Sequence, residues 1–214
     1  MSKENAQIIV ELKPARYAFI DVQNTEGTVS QMLGFVIDWH KLYHYLKDHW
    51  NCEKVFFYSG IQRGDDERTN EYIELAKIGY DIHAKPYSTY KNRDHIIKIN
   101  CPKCKNEISY KVDRGVRWKS NCDAELSVDA TNLAKDGVEF LIFSGDGDFE
   151  YVIRNAVEKG VKVYIISSGK KIQVAPRYSI SRFSTKLREI IAEKKDSVFY
   201  VDINLWKLKI KKDL

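Results

Sequence analysis

Apolar residues recur along the chain in two alternating rhythms, and that alternation sets the expected fold. A compact apolar run at Tyr17 to Val22, interrupted by Asp21, reads as a buried strand. The segment from about Gly34 to Trp50 places Val36, Ile37, Leu42, Tyr45 and Leu46 at helical spacing. A second strand, Val55 to Tyr58, ends on Ser59 and Gly60; the polar Gly64-Asp65-Asp66 then precedes a helix carrying Tyr72, Leu75 and Ile78, which Gly79 stops. A third strand is expected at Ile82 to Tyr87. The rhythm resumes with a helix over Asp123 to Ala134, a strand at Phe140 to Phe143, a helix over Phe149 to Glu158 stopped by Gly160, and a strand at Val161 to Ile166. Thr185 to Lys195 reads as a further helix. Val198 to Val201 reads as a short strand, either at a sheet edge or at a subunit contact in a homodimer. Such repeated units predict an α/β, Rossmann-like, mostly parallel sheet with helices on both faces.

Residues 89–119 break the pattern. They are polar, rich in Lys and Arg, and carry apolar positions at Ile96 to Ile99 and Ile108 to Val112, as expected of an inserted hairpin. The expected organisation is an extension over 1–15, a domain over 16–195 containing that insertion, and a tail over 196–214. The tail alternates apolar and basic residues from Trp206 to Lys212, a pattern compatible with an edge strand, a dimer contact or an RNA contact.

With 214 residues, 43% of them hydrophobic, the chain can bury a full core. No apolar stretch reaches the roughly 18 to 20 residues that cross a bilayer, and Met1 to Asn5 lacks a signal-peptide core, so a cytoplasmic protein with no membrane partner is expected. The net charge of +5 is compatible with a polyanionic partner without identifying one. Four cysteines, Cys52, Cys101, Cys104 and Cys122, do not suggest a disulfide framework in a reducing compartment. Cys101-Pro102-Lys103-Cys104 has the spacing of half a zinc site, with Cys122 as a candidate third ligand and His95 as a fourth. Structural zinc and reduced thiols both fit that spacing.

The candidate chemistry lies where apolar runs end on acids. Phe140 to Phe143 leads into Ser144-Gly145-Asp146-Gly147-Asp148, and the first strand leads into Asp21. In a parallel sheet the crevice beyond the carboxyl ends of the strands is where ligands bind. Asp123 opens the helix after the insertion, where capping and the helix dipole also favour an acid, and Asp146-Gly147 is a good turn former. If Asp21, Asp123 and Asp146 meet in one cleft, their mutual repulsion calls for a divalent cation, and oxygen-only ligands select Mg²⁺ or Mn²⁺. Such a site supports hydrolysis of a phosphodiester. Asn24 could bond a phosphate, a metal-bound water or its own backbone, Ser144 could orient Asp146 or a phosphate, and Asp129 points roughly 120° away from Asp123 on a helix.

Phe-Ile-Asp-Val-Gln-Asn at 19–24, Lys119 with Asp123 and Asp129, and Ser-Gly-Asp-Gly-Asp-Phe at 144–149 together resemble the NYN domain family, which includes LabA-like (DUF88) proteins and belongs to the PIN-like nuclease fold. The resemblance runs from about residue 16 to residue 168. It implies a Rossmann-like sheet, metal-dependent ribonuclease activity, and an acidic site on Asp21, Asp123, Asp146 and Asp148 with Asn24 as a polar companion. The approach to the central helix, Lys119-Ser120-Asn121-Cys122-Asp123, is one residue longer than the family's usual Lys-Gly-x-Asp. The preference for RNA as partner comes from the resemblance alone.

Arg114, Arg117 and Lys119, with Lys91, Arg93, Tyr90, Tyr110 and Trp118, suit backbone contact and base stacking, so the insertion is expected to grip substrate. The rival readings are a noncatalytic RNA-binding or assembly module of the same fold and another Mg²⁺-dependent phosphohydrolase. No Gly-x-x-x-x-Gly-Lys-Ser/Thr loop occurs.

Overall fold

A computed structural model of the protein describes residues 13–119 and 122–213, without the side chains of 117–119. Its centre is a six-stranded, wholly parallel sheet. The strands are β1 (Arg16–Asp21), β2 (Cys52–Ile61), β3 (Tyr80–Pro86), β8 (Glu139–Phe143), β9 (Lys162–Ser167) and β12 (Val198–Asp202), in the spatial order β12-β9-β8-β1-β2-β3. From β1 the chain builds outward through β2 and β3, then returns to the other side of β1 and builds outward through β8, β9 and β12. The reversal falls between β1 and β8, which makes their carboxyl ends the topological switch point.

Each inner strand is apolar on both sides because helices cover both faces. On one face Phe19, Phe56, Phe140, Ile142 and Val163 pack beneath α4 (Asp123–Leu133), α5 (Glu150–Glu158) and α6 (Thr185–Glu193). Phe19 stacks on Phe56 at 5.2 Å and meets Phe140 edge-on at 4.9 Å, both favourable ring geometries. On the other face Ala18, Ile20, Phe57, Leu141 and Phe143 pack against α2 (Trp39–Asp48), α3 (Asp66–Ile78) and the end of the chain.

The α/β expectation and its strand and helix series hold, with three local corrections. The helix expected from Gly34 begins only at Trp39, because Asp38 is extended and its carboxylate caps Lys41 N–H at 3.0 Å. Ahead of it lie a short helix, α1 (Val22–Gly27), and a π-helical stretch, Thr28–Leu33, ended by left-handed Gly34. The Trp206 to Lys212 alternation is not a strand. Ile203–Trp206 forms a 3-10 turn leading into α7 (Lys207–Ile210), which buries Trp206 and Ile210 against the sheet's second face; only Lys211 bridges, to Ile37.

The insertion is a two-tier antiparallel ribbon. Its base pairs β4 (Ser88–Lys91) with β7 (Val116–Lys119), and its tip pairs β5 (His95–Asn100) with β6 (Glu107–Val112). The described strand residues of both tiers are exposed. A second small hairpin, β10 (Lys171–Ala175) with β11 (Tyr178–Ser181), leads into α6. Among the described residues no helix is long and apolar enough to cross a membrane.

Candidate active site at the switch point

The β1 strand ends on Asp21, which caps the helix that follows: its Oδ1 accepts from Asn24 N–H at 3.2 Å. Its Oδ2 accepts from the Ser144 hydroxyl at 3.0 Å, across from the end of β8. Thr25, buried beneath, donates to the carbonyls of Asp21 at 2.7 Å or Phe143 at 3.0 Å, tying the two strand ends together. Asp146 likewise caps a 3-10 turn, Gly147–Phe149, by accepting from Asp148 N–H at 3.0 Å. The turn-forming role open to Asp146 from sequence is therefore present.

Asp21, Asp123, Asp146 and Asp148 wall one cavity of about 210 Å³, together with Gln23, Asn24, Tyr58, Cys122, Leu126 and Arg182. Cys122 is the N-cap residue of α4 and Asp123 its first helical residue. Burial raises the Asp21 carboxyl to about 6, against the pull of the Asn24 N–H and Ser144 hydroxyl, and the charges of Asp123 and Asp146 push it the same way as burial. Three segments of chain thus place mutually repelling acids in one field. Among the described residues no three His, Cys, Asp or Glu side chains are drawn together closely enough to form a finished metal centre.

Other side chains fix this arrangement. Asn24 turns its Oδ1 to Gly145 N–H at 2.9 Å, holding the loop after β8. Ser144 is only 2% exposed and lies outside the lining of this cavity; its hydroxyl donates to Asp21 and accepts from Asp146 N–H at 3.1 Å. These bonds match the orienting role that sequence left open for it. Asp129 lies outside the cavity and accepts from the Tyr58 hydroxyl at 2.8 Å; burial first, and that bond second, push the Tyr58 hydroxyl far above its usual pKa.

The three-thiol zinc site is not formed. The Cys122 thiol is buried in the core and donates toward the carbonyls of Ser59 at 3.4 Å and His83 at 3.8 Å. Cys101 and Cys104 sit instead on the turn at the ribbon's tip. His95 begins β5, six residues before Cys101, which at ~3.4 Å per residue puts it about 20 Å down the ribbon. The Cys101 thiol is lowered by N–H groups of Cys104 and Lys103 and by the Cys104 thiol.

Arg114 lies at the joint between the ribbon's two tiers, where its carbonyl accepts from Asn92 Nδ2 at 2.9 Å, and it does not line the acid cavity. Arg117 pairs with Tyr90 and Lys119 with Ser88 through the backbone; their side chains lie outside the described residues. The ribbon's base is close to the acids, since Gln23 Nε2 donates to the Tyr87 hydroxyl at 3.2 Å. Sequence reading missed Gln23, Tyr58 and Arg182. Tyr58 had a signal, being the β2 residue in register with Asp21, whereas Arg182 had none.

Comparison with known proteins adds three findings. The family model for the NYN domain matches residues 17–187. The Low amplitude and bright protein LabA of Synechococcus elongatus is 23% identical over 175 residues, covering 80% of this chain and 83% of that protein. A solved protein of unknown function from Vibrio parahaemolyticus shares the fold with a TM-score of 0.55 at 19% identity, over 91% of this chain and 96% of the other. The match over residues 17–187, which spans β1, both strand-end acids and the start of α6, places this chain in the NYN domain family.

Proposed function

We propose that the cavity at the switch point is the active site of a metal-dependent ribonuclease that hydrolyses RNA phosphodiester bonds. The observation that carries this reading is the meeting of aspartates from β1, α4 and the loop after β8 in one cavity. The family is generally nuclease-like, which favours a nucleic acid over a small phosphate.

The donor chemistry fits Mg²⁺ or Mn²⁺. Asp21, Asp123 and Asp146 offer carboxylate oxygens, and the one thiol in the wall, Cys122, is turned to the carbonyl of Ser59 or His83. When bound, the ion supplies charge neutralisation at the phosphate and acidifies the attacking water. Ser144 and Asn24 keep Asp21 and the Asp146 loop in register before substrate arrives, so little reorganisation is needed. Asp148, exposed at the rim, is placed to accept a proton from the water at its carboxylate. Tyr58, held as a donor to Asp129, is a neutral wall.

Incubation of the protein with a mixed RNA pool in Mg²⁺ or Mn²⁺ is expected to give cleavage that EDTA abolishes and Asp146→Asn removes. No cleavage in either ion would sink the assignment and leave the noncatalytic RNA-binding module as the better account. The insertion is proposed to hold substrate, and Arg114→Gln is expected to weaken RNA binding and flatten its salt dependence; identical titrations at several salt concentrations would remove Arg114 from that role.

A further inference from the structure

The acid cavity does not close at its Asp146 side. It adjoins a second cavity of about 420 Å³, walled by the Gly145 to Asp148 loop on one side and by residues 181–184 and Lys186 on the other. Asn24, Asp146, Asp148 and Arg182 wall both. The cations in these walls are Arg182, shared by the two cavities, and Lys186, in the second alone.

The segment that carries these two cations is anchored, and among the described residues neither cation is ion-paired. The 182–186 segment is fastened to the acid loop by Ser184 N–H donating to the Gly145 carbonyl at 2.9 Å. Its close approach requires glycine: a Cβ on Gly145 would lie 2.0 Å from the Arg182 carbonyl, and one on Gly147 would lie 2.3 Å from Ser184 Oγ. The Arg182 guanidinium rests on Gly27, where a Cβ would come within 2.6 Å of Nη2, and Nη1 donates to Gln31 Oε1 at 3.1 Å. Among the described residues its buried Nε has no hydrogen-bond partner. Among the described residues neither Arg182 nor Lys186 forms an ion pair with a carboxylate, whereas Arg68 is tied to Glu26 and Arg154 to Glu150 and Glu193. A cation beside four acids yet paired to none has its field free for an anion.

We propose that the second cavity is a phosphate subsite, in which Arg182 and Lys186 hold the phosphodiester next to the one cleaved. This rests on the nuclease reading of the acid cavity. The acids and their ion take the scissile phosphate, which leaves the neighbouring phosphate facing carboxylates unless a cation stands at the boundary. Arg182 stands there. Its planar fork suits two phosphate oxygens, and Lys186 adds a point charge in the wall of the second cavity.

The test is the binding of short single-stranded RNA, read by fluorescence anisotropy in EDTA and again in Ca²⁺, over a salt series. Arg182→Gln and Lys186→Gln are each expected to weaken binding about fivefold or more and to lower the slope of log K against log salt by about 0.7. Gly27→Ala, which displaces the guanidinium without removing a charge, is expected to weaken binding as Arg182→Gln does while leaving Lys186→Gln additive. The idea is overturned by unchanged affinity and slope in the double variant, by wild-type protein that binds no RNA in either condition, or by an Arg182 effect confined to RNA with a 5′-phosphate, which would assign the cavity to a terminal group. Cleavage assays separate this result from the nuclease reading. Arg182-dependent binding without metal-dependent cleavage would sink the latter alone, and cleavage indifferent to both cations would sink the subsite alone.

Discussion

Asp21→Asn is expected to make the metal-free protein more stable and to abolish the proposed RNA cleavage. The native protein holds the Asp21 carboxyl at about 6, chiefly because the strand end buries it. A raised acid pKa means that the native state binds this proton more tightly than the unfolded chain does, so ionisation costs stability. That penalty is absent below about pH 4, grows as pH rises toward 6, and is complete above it. Asparagine removes the charge and keeps the geometry: its carbonyl can accept from Asn24 N–H, and the Ser144 hydroxyl can turn to accept from the new amide. The gain should be about 3 kcal/mol at pH 8 and well under about 1 kcal/mol at pH 4, measured by urea denaturation in EDTA. Cleavage in Mg²⁺ or Mn²⁺ should fall by at least about a hundredfold, because the proposed function makes Asp21 a ligand and not merely the support of one. A variant destabilised equally at both pH values would show that burial of the charge is not what Asp21 contributes.

Gly145→Ala is expected to damage both stability and activity, and more severely than Gly147→Ala. A methyl group on Gly145 points at a backbone carbonyl, that of Arg182, at 2.0 Å, with Ser167 Oγ at 3.0 Å behind it. No rotamer change relieves that contact. The 182–184 segment must move, the Ser184 N–H bond to Gly145 must lengthen, and the loop carrying Asp146 shifts with it. Overpacking of this kind costs about 1–3 kcal/mol, with activity falling further because a site tolerates little displacement. On Gly147 the methyl group meets Ser184 Oγ and the Lys186 side chain, which can rotate away. Urea midpoints and cleavage rates of the two variants test the contrast. Equal, small effects would mean that the Arg182 segment is not rigidly docked.

The sheet was legible because buried parallel strands write themselves as unbroken apolar runs, as at Phe140 to Phe143 and Val55 to Tyr58. Asp21 and Asp146 were legible for the same reason, each standing where such a run stops. What escaped depends on contacts between distant segments. Thr25, Thr28 and Ser30 give Val22 to Leu33 poor helix propensity, and it is helical because it packs between the strand ends and the start of α2. The true start of α2 is set by Asp38 and by Ile37 pairing with Lys211, a residue 174 positions away. Trp206 and Ile210, four apart, satisfy a helix as well as the alternation satisfies a strand, and the aromatic cluster of Tyr45, Trp50 and Trp206 decides between them. Arg182 sits after an irregular hairpin with no local pattern, and only the docking of its segment on Gly145 brings it to the acids. Cys122 stands at the start of α4 with its thiol in the core, whereas Cys101 and Cys104 sit on the ribbon's turn.

The most direct measurement is Mn²⁺ binding to the purified protein by electron paramagnetic resonance of the free ion. Wild type is expected to bind Mn²⁺, with Asp21→Asn, Asp123→Asn and Asp146→Asn each weakening it at least about tenfold and Asp129→Asn leaving it nearly unchanged. Binding that survives all three substitutions, or none in the wild type, would contradict the shared site.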